Sequence, residues 1–311
     1  MKLIADIGAT NARFAILDND AISDLIVLPC EDYKTITCAA KEYLKQADKK
    51  PTSGVFAIAS AYDGEDFVKM TNHPWEFSVS ETAKELGFEK LEILNDFEAV
   101  AHSIWYLKEG DFYQVGEGSP KKNMPIAIIG PGSGLGVAGV AFTKKGEPVV
   151  LSTEGGHVTI PVKNGRELEI MLHMKHTKYR HVSAERVASG KGLVNLYETI
   201  CDIDHLDDMP ELTAAEISKK AIEESCPVCA ESLDLFCHFL GVVAGNLALT
   251  MGAKGGVYLA GGIIPKLGDY FSTSRFYQSY FSHGRFNDYL KQIPIYVITR
   301  DNLALEGLRD F

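Results

Sequence analysis

The chain has 311 residues, 46% of them hydrophobic, and a formal net charge of -11. That length suggests two lobes, and the apolar fraction is enough for substantial cores. The acidic balance argues against a nucleic-acid or anionic-membrane partner, because both need a basic surface, although a local loop of backbone amides could still hold a phosphorylated ligand.

The opening "MKLIADIGATNARF" lacks the apolar core of a signal peptide, and Asp6 interrupts it early, so a cytoplasmic protein is expected. "KLIADIG" and "ARFAILDNDAI" alternate as strands on either side of "ATN" and read as a hairpin. "TITCAAKEYLKQA" has helical spacing with an apolar face, and "SGVFAIAS" is a short apolar strand. "SVSETAKEL" opens with a capping signal at Ser78 or Ser80. "KLEILND" is the next strand and "FEAVAHSIWYL" the next helix. At their join, Asn95 and Asp96 suit a helix N-cap, and equally a catalytic carboxylate at a strand end. Strands alternating with helices imply an α/β class with a mostly parallel sheet.

A polar stretch, "EGDFYQVGEGSPKKNMP", follows, and the crossing between lobes is placed near its start. Residues 1-108 plus 299-311 are thus expected to form a smaller lobe, and residues 109-298 a larger one. "IAIIGPGSGLGVAGVAFTKKGEPVVLS" reads as strand, glycine turn, strand, turn, strand, a weak echo of the opening. "RELEIMLHMKH", "SAERVAS" and "GLVNLYETI" read as helices. Leu235 to Ala253 contains no Asp, Glu, Lys or Arg and could by length span a bilayer, but His238, Asn246 and its glycines fit a helix buried in a large domain better. Cys226, Cys229, Cys237 and His238 lack a second CxxC pair and read as buried thiols on one helix face rather than a metal cluster. The strand "GGVYLAGGII" comes next, and "IPIYVITRDNLALEGLRDF" ends the chain as a strand and short helix.

Four stretches could carry chemistry. In "DIGATNARF", Asp6, Gly8, Thr10, Asn11 and Arg13 would suit an anion-binding turn with an acid able to hold Mg²⁺ through water, though a plain hairpin turn explains them equally. In "GPGSGLG", small residues around the Ser133 hydroxyl suit a phosphate cradle. It is not a Walker A loop, and the G-x-G-x-x-G formed by Gly134, Gly136 and Gly139 is not a dinucleotide fingerprint, because a strand follows it instead of a helix. "EGGHVTIP" offers Glu154 and His157, with His181 and Glu185 downstream, a donor and acceptor set suited to a neutral polyol. "YLAGGIIPKL" ends a buried strand at Gly261-Gly262, where a flat base could approach the backbone.

Taken in order, "DIGATNARFA", "LNDFEAVA", "GPGSGLGV", "STEGGHV", "HVSAERVASGKGLVNLY" and "GVYLAGGIIP" resemble the bacterial glucokinases of the proteobacterial and cyanobacterial type, within the actin/hexokinase/Hsp70 sugar kinases, over nearly the whole chain. The resemblance implies a two-lobed actin-like ATPase (ribonuclease H-like) fold with mixed β-sheets flanked by helices and an active site in the interlobe cleft. It implies transfer of the ATP γ-phosphoryl group to the 6-hydroxyl of glucose, with Asp96 as base. Asn95, Glu154, His157 and Glu185 would then contact the sugar. Asp6, Gly8, Ala9, Thr10 and Asn11 would form the first phosphate loop, Gly132, Ser133 and Gly134 the second, and Gly261-Gly262 the adenosine turn. Mg²⁺ would ride on the phosphates, with Asp6 reaching it through water. Partners would be glucose and ATP, with no nucleic acid and no membrane, and a homodimer is common in the family. Ala9 replaces a usual glycine, which would cost roughly 1 kcal/mol or more if that position needs positive φ. ROK relatives carry a Cys-rich zinc motif after their "EGGH"-type stretch, but "VTIPVKNGRELEIMLHMKH" has no cysteine, so no structural zinc is expected. A kinase for mannose, fructose or an N-acetylated sugar, or a non-catalytic sugar sensor, would use the same polar set.

Overall fold

A computed structural model describes residues 1–71, 73–162 and 165–311. The stretch read for a zinc motif includes Lys163 and Asn164, which lie outside the described residues. In chain order the elements begin with β1 (Lys2–Ile7), β2 (Asn11–Asp18), β3 (Ala21–Pro29), α1 (Ile36–Ala47), β4 (Ser53–Ile58), β5 (Phe67–Lys69) and β6 (Glu76–Ser78). Next are α2 (Val79–Leu86), β7 (Lys90–Asn95), α3 (Asp96–Ser103), β8 (Phe112–Val115), β9 (Ile126–Pro131), β10 (Leu135–Phe142) and β11 (Pro148–Thr153). Then come α4 (Gly165–Thr177), α5 (Gly190–Ile203), α6 (Ala214–Ile222), α7 (Pro227–Met251), β12 (Gly256–Leu259) and the short helices α8 (Ile264–Leu267), α9 (Asp269–Thr273), α10 (Phe276–Phe281) and α11 (Asn287–Lys291). The chain closes with β13 (Ile295–Ile298) and α12 (Leu303–Gly307). Residues divide into two compact units, the first being Met1–Glu109 with Val150–Thr153 and Arg300–Phe311, the second Gly110–Val149 with Glu154–Thr299.

The first unit carries a sheet of order β3-β2-β1-β4-β7. The expected hairpin is there: β1 and β2 pair antiparallel, with Ile7 opposite Ala12. β4 and β7 then add parallel to β1. Leu3, Ala5 and Ile7 alternate onto one face with Phe14, Ile16, Phe56 and Ile58, against Ile36, Ala39, Ala40 and Tyr43 of α1. The cap of α2 is Ser78 rather than Ser80, its hydroxyl accepting from Glu81 N at 3.0 Å. α12 packs against α3.

A second sheet has the order β11-β10-β9-β12-β13-β8, and apart from Val150–Thr153 of β11 it lies in the second unit. Apart from the added β8 it repeats the order of the first, so the weak sequence echo has a structural counterpart. β8 lies inside the polar stretch read only as a lobe crossing. It pairs antiparallel with β13 at the sheet edge and leaves Tyr113 and Gln114 exposed, so it shows no apolar alternation. "SAERVAS" is likewise not a helix but a single 3₁₀ turn at Ala184–Arg186. α7 is buried on nearly every side, from Leu233 through Gly245, which explains an apolar run without amphipathic period. Cys229 and Cys237 lie in this core, and the Cys226 sulfur caps α7 by accepting from Cys229 N at 3.4 Å. His238 meets a buried carboxylate: its Nε2 is 3.0 Å from Glu167 Oε1, while its Nδ1 is 2.7 Å from Ser279 Oγ.

Candidate active site

In the first unit the parallel strands fix where the polar groups stand. Ile7 of β1, Ile58 of β4 and Asn95 of β7 are in register, so the three carboxyl ends form one row. Two strand spacings, about 10 Å, separate the turn after β1 from the residues after β7. Carboxyl ends of parallel strands are where α/β sheets place ligands.

α3 begins directly at the end of β7, with no intervening loop. Asn95 is its N-cap: Oδ1 accepts from Phe97 N at 2.9 Å and from Glu98 N at 3.1 Å. Its Nδ2 donates to Ser60 O at 3.2 Å, and the side chain is buried. Capping therefore falls to Asn95, while Asp96 occupies the first helical position, half-buried, with Oδ1 accepting from Phe97 N at 2.8 Å. Ser60 was not singled out in the sequence. It stands two residues past the end of β4, and its hydroxyl also accepts from Thr71 N at 2.7 Å.

The turn Gly8–Asn11 closes through Gly8 N donating to Asn11 O at 3.0 Å. Behind it, Cys30 N donates to Thr10 O at 2.8 Å. Ala9 is not among the residues at positive φ, so the substitution for glycine carries no left-handed penalty. Asp6 Oδ2 is 3.3 Å from Arg13 Nη1. Burial raises the Asp6 pKa, and the Arg13 charge and hydrogen bond oppose that shift. One carboxylate, already sharing an oxygen with a guanidinium, cannot fill the octahedral shell of Mg²⁺. It fits an ion held through its own water.

In the second unit, the sugar-type residues and the second glycine loop come together. The Glu154–His157 turn brings Glu154 Oε2 to 3.5 Å from His157 Nε2, both about half-exposed at 52% and 51%. Gly156 allows this turn to lie on β10, because a methyl there would overlap Leu135 O. A bridge joins Thr159 to Ser183, and Ala184 N donates to Val158 O at 2.9 Å. Glu185 is thereby carried to the glycine loop, where Oε2 accepts from Leu135 N at 3.1 Å. His181 is held aside, its Nε2 3.1 Å from Thr159 Oγ1.

The glycine loop is itself braced. Gly132 N donates to Gly134 O at 2.8 Å, and Gly190 N, opening α5, donates to Gly132 O at 2.8 Å. Ser133 is exposed at its tip. The Gly-Gly turn adjoins this loop because β9 and β12 run parallel, with Ile129 beside Leu259. Gly261 has φ +85°, and a side chain there would meet Pro131 O at 2.5 Å; Gly262 is not so confined. The brace from Gly190 was missed as a site element. Its sequence signal was a serine before two closely spaced glycines, "SGKGL".

A sequence model of the family described as glucokinase matches residues 3–311. A glucokinase from Paramagnetospirillum magneticum is 44% identical over 312 residues, covering 99% of this chain and 96% of that one. The crystal structure of a glucokinase from an Antarctic psychrotroph superposes with a TM-score of 0.81 at 34% identity, covering 99% of this chain and 97% of that one. The structure of a glucokinase from Balamuthia mandrillaris in complex with glucose has the same fold, with a TM-score of 0.84 at 22% identity, covering 98% of this chain and 91% of that one.

Proposed function

The chain belongs to the glucokinase family, and on that premise we propose that it transfers the γ-phosphoryl group of ATP to the 6-hydroxyl of D-glucose, giving glucose 6-phosphate and ADP. The observation that carries the mechanism is Asp96 standing at the carboxyl end of β7, in the row that also holds the Gly8–Asn11 turn. Asp96 takes the proton of the 6-hydroxyl as it attacks phosphorus. Phosphoryl transfer is mainly positioning and charge stabilisation, so one carboxylate base is sufficient. Asn95 aims that base through the cap and the Ser60 bond.

Glu154, His157 and Glu185 accept or donate hydrogen bonds to the sugar hydroxyls. A sugar lacking a bonded hydroxyl leaves these groups unpaired and is rejected. The turn Gly8–Asn11, including Ala9 and Thr10, and the loop Gly132–Gly134 with Ser133 cradle the phosphates through backbone amides. Gly261-Gly262 receives the adenosine. Mg²⁺ bound to the nucleotide would neutralise phosphate charge, with Asp6 reaching its water shell. We place the enzyme in the cytoplasm, as a homodimer, and sedimentation at several concentrations tests the latter.

The deciding experiment is a coupled assay for glucose 6-phosphate, with ATP, Mg²⁺ and glucose, on wild type and Asp96→Asn. The expected result is wild-type turnover and a fall in kcat of about 10²–10⁴ in a variant that keeps its fold and binds glucose. Asp96→Asn turnover within tenfold of wild type would remove Asp96 as base. Mannose, fructose and N-acetylglucosamine in the same assay should give lower kcat/KM than glucose.

A further inference from the structure

Glu185 is a proposed sugar residue that is hydrogen-bonded to the donor loop. Its carboxylate accepts from Leu135 N at 3.1 Å, and Leu135 directly follows Gly134. The fit is close: a methyl on Gly134 would overlap Glu185 Oε2, whereas one on Gly132 meets nothing within 4 Å. A second link runs through the backbone. Ser189 Oγ donates to Glu185 O at 2.7 Å and accepts from Gly192 N at 2.9 Å. The neighbouring Gly190 N donates to Gly132 O at 2.8 Å. Side chain and backbone of one segment, Glu185–Gly192, thus grip both ends of the loop Gly132–Leu135. All these groups lie within the second unit.

We propose that Glu185 serves both ligands: its carboxylate, held by the sugar, fixes the Leu135 amide and the donor loop, so that glucose and ATP bind with positive coupling. The proposal rests on the glucokinase reading above. Its physical basis is the geometry of the shared acceptor. An ionised carboxylate has about four lone-pair sites, so Oε2 can keep Leu135 N while the remaining sites accept sugar hydroxyls. Free, the side chain holds the loop through one bond. With sugar bound its rotamers are restricted and the loop is ordered in advance, so the donor meets a cradle already set. Gly134 is the positioning residue that leaves room for this.

The test is calorimetric titration of the full chain with glucose, with and without saturating Mg²⁺ and the non-hydrolysable analogue AMPPNP. Wild type should bind glucose about fivefold or more tightly with the analogue present, and by linkage glucose should tighten the analogue by the same factor. Gly134→Ala should displace the carboxylate, weaken glucose binding alone by about tenfold and bring the coupling factor near one. Gly132→Ala, whose added methyl meets nothing within 4 Å, should weaken glucose binding alone much less than Gly134→Ala does. Glu185→Gln keeps an oxygen able to accept from Leu135 N and should retain most of the coupling factor, whereas Glu185→Ala should lose it. A wild-type coupling factor of one, or a full factor retained in Glu185→Ala, would overturn the proposal. Absence of glucose binding to wild type would instead overturn the functional reading. Should Gly134→Ala not fold, the contrast between Glu185→Gln and Glu185→Ala decides.

Discussion

Asn95→Ala removes two distinct interactions that can be weighed separately. The first is the cap, in which Oδ1 accepts from Phe97 N at 2.9 Å and Glu98 N at 3.1 Å. Loss of an Asn cap costs about 1 kcal/mol. The second is Nδ2 donating to Ser60 O at 3.2 Å, between residues only 6% and 5% exposed. Removing the donor leaves a buried carbonyl unsatisfied, a loss of about 1–3 kcal/mol. Together the variant should be destabilised by about 2–4 kcal/mol. Asn95→Asp separates the terms: it keeps an acceptor for the cap but loses the donor to Ser60. Urea unfolding followed by tryptophan fluorescence is the assay, since both tryptophans, Trp75 and Trp105, lie in the first unit. Because Asn95 holds the first turn that carries Asp96, kcat should fall in both variants under native conditions. An Asn95→Ala midpoint corresponding to less than about 0.5 kcal/mol of destabilisation would refute the cap and the Ser60 bond as supports of the site.

Gly156→Ala should push the Glu154–His157 turn off Leu135 and raise the glucose KM at least about tenfold, with the far-ultraviolet circular dichroism unchanged; a wild-type KM would count against that turn as part of the sugar site. Gly261→Ala combines a φ of +85° with an approach of 2.5 Å to Pro131 O, and should raise the KM for ATP more than that for glucose, measured by varying each substrate in turn. Thiol alkylation at pH 8 should modify the exposed Cys38 first. Burial pushes the thiol pKa of Cys30 up to about 11 and those of Cys229 and Cys237 to about 12, so too little thiolate forms at pH 8 for reaction. Mass spectrometry of the labelled native protein should find these three unmodified until denaturant is added.

The legible parts of the sequence were those with a local signal. Period-two alternation marked β1 and β2, and a capping signal at Ser78 or Ser80 marked the start of α2 within one turn. The uncharged run of α7 announced a helix buried all round. Features that depend on distant partners were hidden. β8 takes its place from β13, far along the chain, so its exposed Tyr113 and Gln114 look like loop residues. "SAERVAS" has helical propensity, yet Ala184 N is drawn to Val158 O and the segment stops at one 3₁₀ turn. The residue types of the candidate site were visible, but not their bonds. Glu185 and Leu135 are 50 positions apart, and no periodicity links them. Resemblance to a family named the residues. Only the structure shows Asn95 spent on the cap, Ala9 free of left-handed strain, and Glu185 seated on the glycine loop.

The matching strand orders of the two units explain why their chemistry differs. In each, three consecutive strands are followed by two more added beside the first, as β3-β2-β1-β4-β7 and β11-β10-β9-β12-β13. A parallel strand's carboxyl end is a fixed socket, and what stands there depends on the next few residues. In the first unit the last added strand, β7, ends in Asn95, and α3 starts at once, so an acid is presented on a capped helical turn. In the second unit the strand beside β9 is β12, which ends at Leu259 and is followed by Ala260 and Gly261, and the positive φ of Gly261 turns the chain tightly under Pro131. A capped carboxylate suits proton transfer, and a side-chain-free turn suits close approach of a flat ring. On the function proposed above, the same scaffold would present a catalytic edge in one unit and a nucleotide edge in the other. Exchanging Asp96 for Asn should lower kcat as above while leaving AMPPNP binding intact, and Gly261→Ala should weaken AMPPNP while leaving glucose binding intact. If Asp96→Asn also weakened AMPPNP, or Gly261→Ala weakened glucose equally, that division of labour between the two sheets would be wrong.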